Sequence, residues 1–131
     1  MITKPKTRKA PAPKGFDLPV KSPTHHAEAL SFMQVRKKRG TGIDYWIVES
    51  SGKYGVDCDK GGQLADEYLT YIGEYPTVGN ATLLNCIVHE MIDRAKAGEP
   101  WTGIHVGFLR GVNDYAMVTA TALARMNKEA A

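Results

Sequence analysis

Along residues 28–37 hydrophobic and polar positions alternate, with Ala29, Ser31, Met33 and Val35 on one side and Leu30, Phe32 and Gln34 on the other. That is the period of a strand. A helix beginning after Ser22-Pro23 competes for the same stretch, and the segment that follows favours the strand. Arg39-Gly40-Thr41-Gly42 reads as a turn, and Ile43 to Glu49 is rich in β-branched and aromatic residues. Ser50-Ser51-Gly52-Lys53 makes a second turn, after which Tyr54 to Cys58 pairs back. The pattern predicts a three-stranded antiparallel meander at 28–37, 43–49 and 53–58.

After Lys60-Gly61-Gly62 the period lengthens. Leu64, Ala65, Tyr68, Leu69 and Ile72 recur at helical spacing until Pro76 ends the segment. A second helix is expected from about Asn80 to Ala97, with a stripe of Leu84, Ile87, Val88, Met91 and Ala95 and a stop at Gly98 and Pro100. Residues 103–111 read two ways. Ile104, Val106 and Phe108 alternate like a strand, whereas Gly103, Gly107 and Gly111 at steps of four make one smooth face of a helix. Three interior glycines cost a helix about 1 kcal/mol each, which is tolerable only where another helix packs closely on that face. From 113 to 127 the alanine-rich sequence, with Val112, Tyr115, Thr119 and Leu123 at helical spacing, predicts a helix. The fold class expected is α+β: the meander followed by two or three packed helices, with an extended basic N-terminal arm. No internal repeat is present.

Charge adds the arm to that picture. The 131 residues carry a formal net charge of +3. Residues 1–40 hold ten bases against two acids, and the remainder seven bases against twelve acids. Residues 1–23 also contain five of the seven prolines, which fix φ, remove backbone donors and favour polyproline-II-like states. Phe16, Leu18 and Val20 are too few to build a core. Two units follow: an extended Pro/Lys-rich basic arm over 1–23 and a single α+β domain over 24–131. The short stretch Phe16 to Val20 offers an anchor for the arm on the body or on a partner.

Length and composition exclude several classes. At 14.4 kDa, 43% hydrophobic and 24% charged, the chain suits one globular domain rather than a disordered or fibrous protein. Its longest apolar run, Tyr45 to Val48, is far short of the ~18 residues of a membrane span. The basic N-terminus has no hydrophobic segment of a secretory signal, so the expected compartment is the cytoplasm, where Cys58 and Cys86 stay free thiols. A disulfide between them would need a geometry the sequence does not show.

Candidate chemistry is sparse. Cys86 and His89 have a metal-like C-x2-H spacing, but no second ligand pair accompanies them. His89-Glu90-Met91-Ile92-Asp93 lacks the second histidine of the zinc-peptidase pattern, and Asn85, His89, Asp93 and Lys96 read as a solvated helix face. Glu90 and Arg94 have the favourable order for a helix ion pair. Asp57, Asp59, Asp66 and Glu67 form an acidic cluster without the spacing of a calcium loop, and at 66 and 67 they suit the first turn of a helix. Ser51-Gly52-Lys53, bridging two strands, is not a phosphate loop. No acid–base couple or serine-nucleophile signature is found, so no enzyme, cofactor or metal is expected.

The run Arg36-Lys37-Lys38-Arg39 is the sharpest local feature. With Lys4, Lys6, Arg8, Lys9, Lys14 and Lys21 it offers ten bases for phosphate contacts, and Phe32, Tyr45 and Trp46 would stack on bases if they faced outward. The reading is a non-enzymatic binding protein that engages nucleic acid or a nucleoprotein complex through its arm and basic turn. The alternative is a protein-binding inhibitor or assembly factor docking through its acidic helical body. Tyr71, Tyr75 and Trp101 would then be its anchors, although tyrosines at 68, 71 and 75 more often face a core. In size, missing catalytic signatures and Pro-rich basic arm the chain resembles small accessory proteins of phages and mobile elements. The sequence leaves the oligomeric state open.

Overall fold

The computed structural model describes residues 24–36 and 42–130, so the arm lies outside the described residues. A short helix α1 (His26–Ala29) is followed by strands β1 (Gln34–Val35) and β2 (Ile43–Asp44), and then by helix α2 (Tyr54–Glu74). A 3-10 turn (Val78–Thr82) leads into helix α3 (Leu83–Lys96), and helix α4 (Gly103–Ala130) completes the order.

The three-stranded meander is corrected by this architecture. The sheet is a single antiparallel pairing of two residues on each side, Gln34 with Asp44 and Val35 with Ile43, against 21, 14 and 28 residues in the three long helices. The expected first strand is divided among α1, a turn and β1. The expected third strand, 53–58, is the entry to α2. Its Asp57 carboxylate, buried at 3% exposure, accepts from the hydroxyls of Ser50 and Ser51 and from the Ser51 N–H at 2.9 Å. The carboxylate thus gathers the 50–53 loop onto the first turn of a helix. Those bonds, led by the one from Ser50, hold its carboxyl below the usual carboxylate range.

Gly61-Gly62 lies inside α2 because α4 crosses there at backbone distance. A side chain on Gly61 would strike the Ile104 carbonyl, and one on Gly103 would lie 2.6 Å from the Tyr54 carbonyl oxygen. Gly111 faces Ala65. Residues 103, 107 and 111 therefore meet 54, 58 and 65 in the same order, and the two helices run parallel along a seam with almost no side chains. This decides residues 103–111 in favour of the helix.

α3 agrees with its expected span, with Leu83, Ile87 and Met91 buried and the expected Ala95 exposed. Gly98, at φ 104°, ends it. Its N–H donates to the Ala95 carbonyl and that of Glu99 to the Arg94 carbonyl, the Schellman pattern that favours glycine at this position. The core gathers Phe32, Trp46 and Phe108, whose ring centroids lie 5.1–5.6 Å apart in edge-on pairs. Trp46 donates from Nε1 to His105 Nε2 at 3.2 Å. On the other side of the ring, Nδ1 accepts the Thr102 N–H at 3.0 Å and lies 3.2 Å from Thr102 Oγ1. Burial lowers the pKa of His105.

Candidate functional site

Of the basic run only Arg36, the residue after β1, is described. Arg36 N–H donates to the Gly42 carbonyl at 2.9 Å, and Gly42, at φ 144°, packs against the Arg36 side chain. The residues on either side of segment 37–41 are thereby tied together. Lys37, Lys38 and Arg39, like Lys4, Lys6, Arg8, Lys9, Lys14 and Lys21, lie outside the described residues.

Arg36 itself is not a free cation. Its Nε lies 2.7 Å from Asp44 Oδ1, and this bond holds the Asp44 carboxyl below the usual carboxylate range. Arg94 approaches the same Asp44 oxygen at 3.8 Å and pairs with Glu90 at 2.9 Å and Glu99 at 3.2 Å. Glu90 does more than the helix ion pair its spacing announced. It reaches across to the hairpin, where its two carboxylate oxygens accept the backbone N–H groups of Tyr45 and Trp46, each at 2.9 Å. A backbone-holding role of this kind leaves no signal in sequence, because the partners are main-chain groups 44 and 45 residues away.

Between the hairpin and α3 these residues frame an open groove of about 590 Å³. His89 and Asp93 lie on its α3 side, 3.2 Å apart and well exposed. Both arginines of the groove are matched by carboxylates, so its walls form an ion network rather than an anion cradle. A second groove of about 360 Å³ beside Thr24 carries Asp66, Glu67 and Glu74 of α2. Glu67 is occupied there, accepting from the backbone N–H and hydroxyl of Ser31 at 2.6 and 2.8 Å. Asp66 and Glu67 stand mid-helix, not in a first turn as their place after Gly62 suggested, because α2 begins at Tyr54.

The remaining candidates divide between core and surface. Trp46 and Phe32 are 2% and 1% exposed and have no face to offer a base; Tyr45 is half-buried. Tyr71 and Tyr75 face the core, and Tyr71 donates its hydroxyl proton to the Thr24 carbonyl at 2.8 Å. As anchors for a partner they are corrected: their side of α2 is the one the body buries. Trp101 is 47% exposed and stacks on His105 with centroids 4.3 Å apart. Ser51-Gly52-Lys53 does precede a helix N-terminus, contrary to the expected strand–strand bridge, but its donors are already taken, those of Ser51 by the Asp57 carboxylate and the Gly52 and Lys53 N–H groups by the hydroxyl oxygens of Ser50 and Ser51. Cys58 and Cys86 are free thiols.

Among the described residues no three His, Cys, Asp or Glu side chains gather in a way that could hold a metal ion. No helix among them is long and apolar enough to cross a membrane. No protein-family model, curated protein or solved structure matches the chain.

Proposed function

We propose that this protein is a non-enzymatic binding protein that engages nucleic acid or a nucleoprotein complex through residues 1–23 and the basic run Arg36–Arg39. The observation that carries this reading is the partition of charge around the folded body. The described residues hold eight bases and thirteen acids, whereas the segments outside them hold nine bases and one acid. The body repels phosphate, so a polyanion would meet the chain through these segments, with the body fixing how they are presented. The Arg36–Gly42 bond supports the same reading, because it ties together the residues that flank three of those bases in the sequence.

The test is binding to labelled duplex DNA and to single-stranded RNA over a salt series. Affinity is expected to fall steeply as salt rises. Substituting Gln for Lys37, Lys38 and Arg39 removes up to three phosphate contacts and lowers the slope of log K against log salt on duplex DNA by about 2–3. No binding, or a slope unchanged by the substitutions, overturns the assignment of the basic run. A protein-docking inhibitor or assembly factor is the second reading, favoured by the exposed indole of Trp101. On that reading Trp101→Ala weakens capture of the partner while the Gln substitutions leave it intact.

A further inference from the structure

At the start of α4 a histidine stands where a carboxylate or an amide usually closes a helix cap. Thr102 precedes the first helical residue, Gly103, and its Oγ1 accepts the Ile104 N–H at 3.2 Å. His105 turns back, and its Nδ1 accepts the Thr102 N–H at 3.0 Å. The arrangement resembles the reciprocal capping box, in which Glu or Gln three residues after the cap makes the return bond. The other ring nitrogen, Nε2, accepts the indole N–H of Trp46 at 3.2 Å. His105 is 7% exposed, with Trp46 on one side at a centroid distance of 5.4 Å and Trp101 stacked on it at 4.3 Å.

Both N–H groups that meet the ring nitrogens, an amide and an indole, are donors without acceptor capacity. A neutral imidazole keeps an accepting lone pair on one nitrogen, and an imidazolium keeps none. Protonation therefore points Nδ1–H at the Thr102 N–H and Nε2–H at the Trp46 N–H. Thr102 Oγ1, 3.2 Å from Nδ1, can take one of these protons. Among the described residues Nε2 has no hydrogen-bond partner besides the indole. The N-terminal end of a 28-residue helix also opposes a cation at this place. Charged groups on the packed elements offset little of this. Glu99, in the loop before α4, favours the charged ring, but Arg94 of α3 holds it at 3.2 Å. Asp57 of α2, beside Gly103, is engaged by Ser50 and Ser51. The segment after β2 presents the uncharged Trp46.

We propose that His105 is a proton-operated cap, which when neutral holds the start of α4 to the core and when protonated releases the Thr102 N–H and the Trp46 indole together. The half-exposed face of Trp101 attracts a cation, so the charged ring moves with Trp101 toward solvent and away from the indole N–H. The loop 97–102 loosens with it. The seam of α2 and α4 stays closed, because there backbone packs on backbone. Burial lowers the pKa of the ring. The cap is therefore complete above the ordinary histidine value and is lost as the pH falls through the lower value of the folded chain. The inference does not rest on the nucleic-acid reading.

The test is nuclear magnetic resonance of the nitrogen-labelled full-length chain between about pH 7.5 and 5. The chain has two tryptophans, and their indole N–H signals are followed beside the ring nitrogens of His105. The Trp46 indole is expected to shift with the midpoint of the His105 ring. The protection factor of the Thr102 amide is expected to fall about 5-fold or more across the same range. His105→Gln supplies a return acceptor that takes no proton and should abolish the transition. His26, whose pKa burial also lowers, is the control, and His26→Gln should leave the transition in place. In the native chain, a Trp46 indole that stays still while His105 titrates overturns the proposal, as does a ring that takes no proton while the chain is folded. A transition that persists in His105→Gln or vanishes in His26→Gln also overturns it. So does the loss of all helical signal at the same midpoint, which would be global acid unfolding rather than the opening of a cap.

Discussion

At the scale of single residues, the seam between α2 and α4 is the tightest constraint in the molecule. A methyl group on Gly107 would overlap the carbonyl oxygen of Cys58, and one on Gly103 would lie 3.0 Å from the Asp57 Cβ as well as 2.6 Å from the Tyr54 oxygen. The obstacles at Gly107 are backbone atoms of a helix interior, which do not swing aside as a flexible side chain does. Gly107→Ala therefore forces the two axes apart and costs about 3 kcal/mol. Gly62, one residue beyond the contact at Gly61, has no atom within 4 Å of an added Cβ. Gly62→Ala should stabilise the chain by about 0.5–1 kcal/mol, since alanine loses less backbone entropy in a helix. Urea unfolding of the two variants should shift the midpoint in opposite directions. A shift of the same sign in both would mean that the glycines serve the chain's flexibility rather than the approach of the helices.

Among the elements, the hairpin depends most on a single side chain. β1 and β2 pair over only two residues each, too few to stand alone, and the residues after β2 leave the ladder to enter the core. Glu90 closes the gap by accepting the Tyr45 and Trp46 N–H groups while pairing with Arg94. Glu90→Ala leaves two main-chain donors without their acceptor and Arg94 with only Glu99 and Asp44, and should cost about 2–3 kcal/mol. Hydrogen exchange of the Tyr45 and Trp46 amides should rise well beyond what the global loss of stability explains. Exchange that rises only with global unfolding would assign the hairpin's hold to Trp46 packing alone. The α3 helix was legible in sequence because its apolar spacing and its glycine stop are local. The Gly103, Gly107, Gly111 face was legible as a condition, requiring a second helix to cover it. The partner of that face was hidden by its own glycines: Gly61-Gly62 reads locally as a breaker, and only the approach of α4 makes it helix. The strands were overread for the same reason. Ile43 to Val48 has β-forming residues, but its Ile47 N–H goes to the Phe32 carbonyl and its Trp46 to the core, outside any ladder. Glu90 and Asp57 act on backbone and loop groups that no spacing rule reaches, so the ion network of the groove was the least legible part of the candidate site.

Across the whole molecule, the partition of charge carries its own expectation. Each chain has nine bases and one acid outside its described residues, against eight bases and thirteen acids within them, and Arg36 is already engaged by Asp44. If a polyanion meets the chain through residues 1–23, substituting Gln for Lys4, Lys6, Arg8, Lys9, Lys14 and Lys21 should lower the slope of log K against log salt on duplex DNA by up to about 5, because each contacted phosphate contributes about 0.9. Substituting Gln for Lys53, Lys60, Lys96 and Lys128, which belong to the acidic described residues, should leave the slope unchanged. An equal loss from both sets would mean that the polyanion also meets the folded residues, and the partition of charge would then not direct binding.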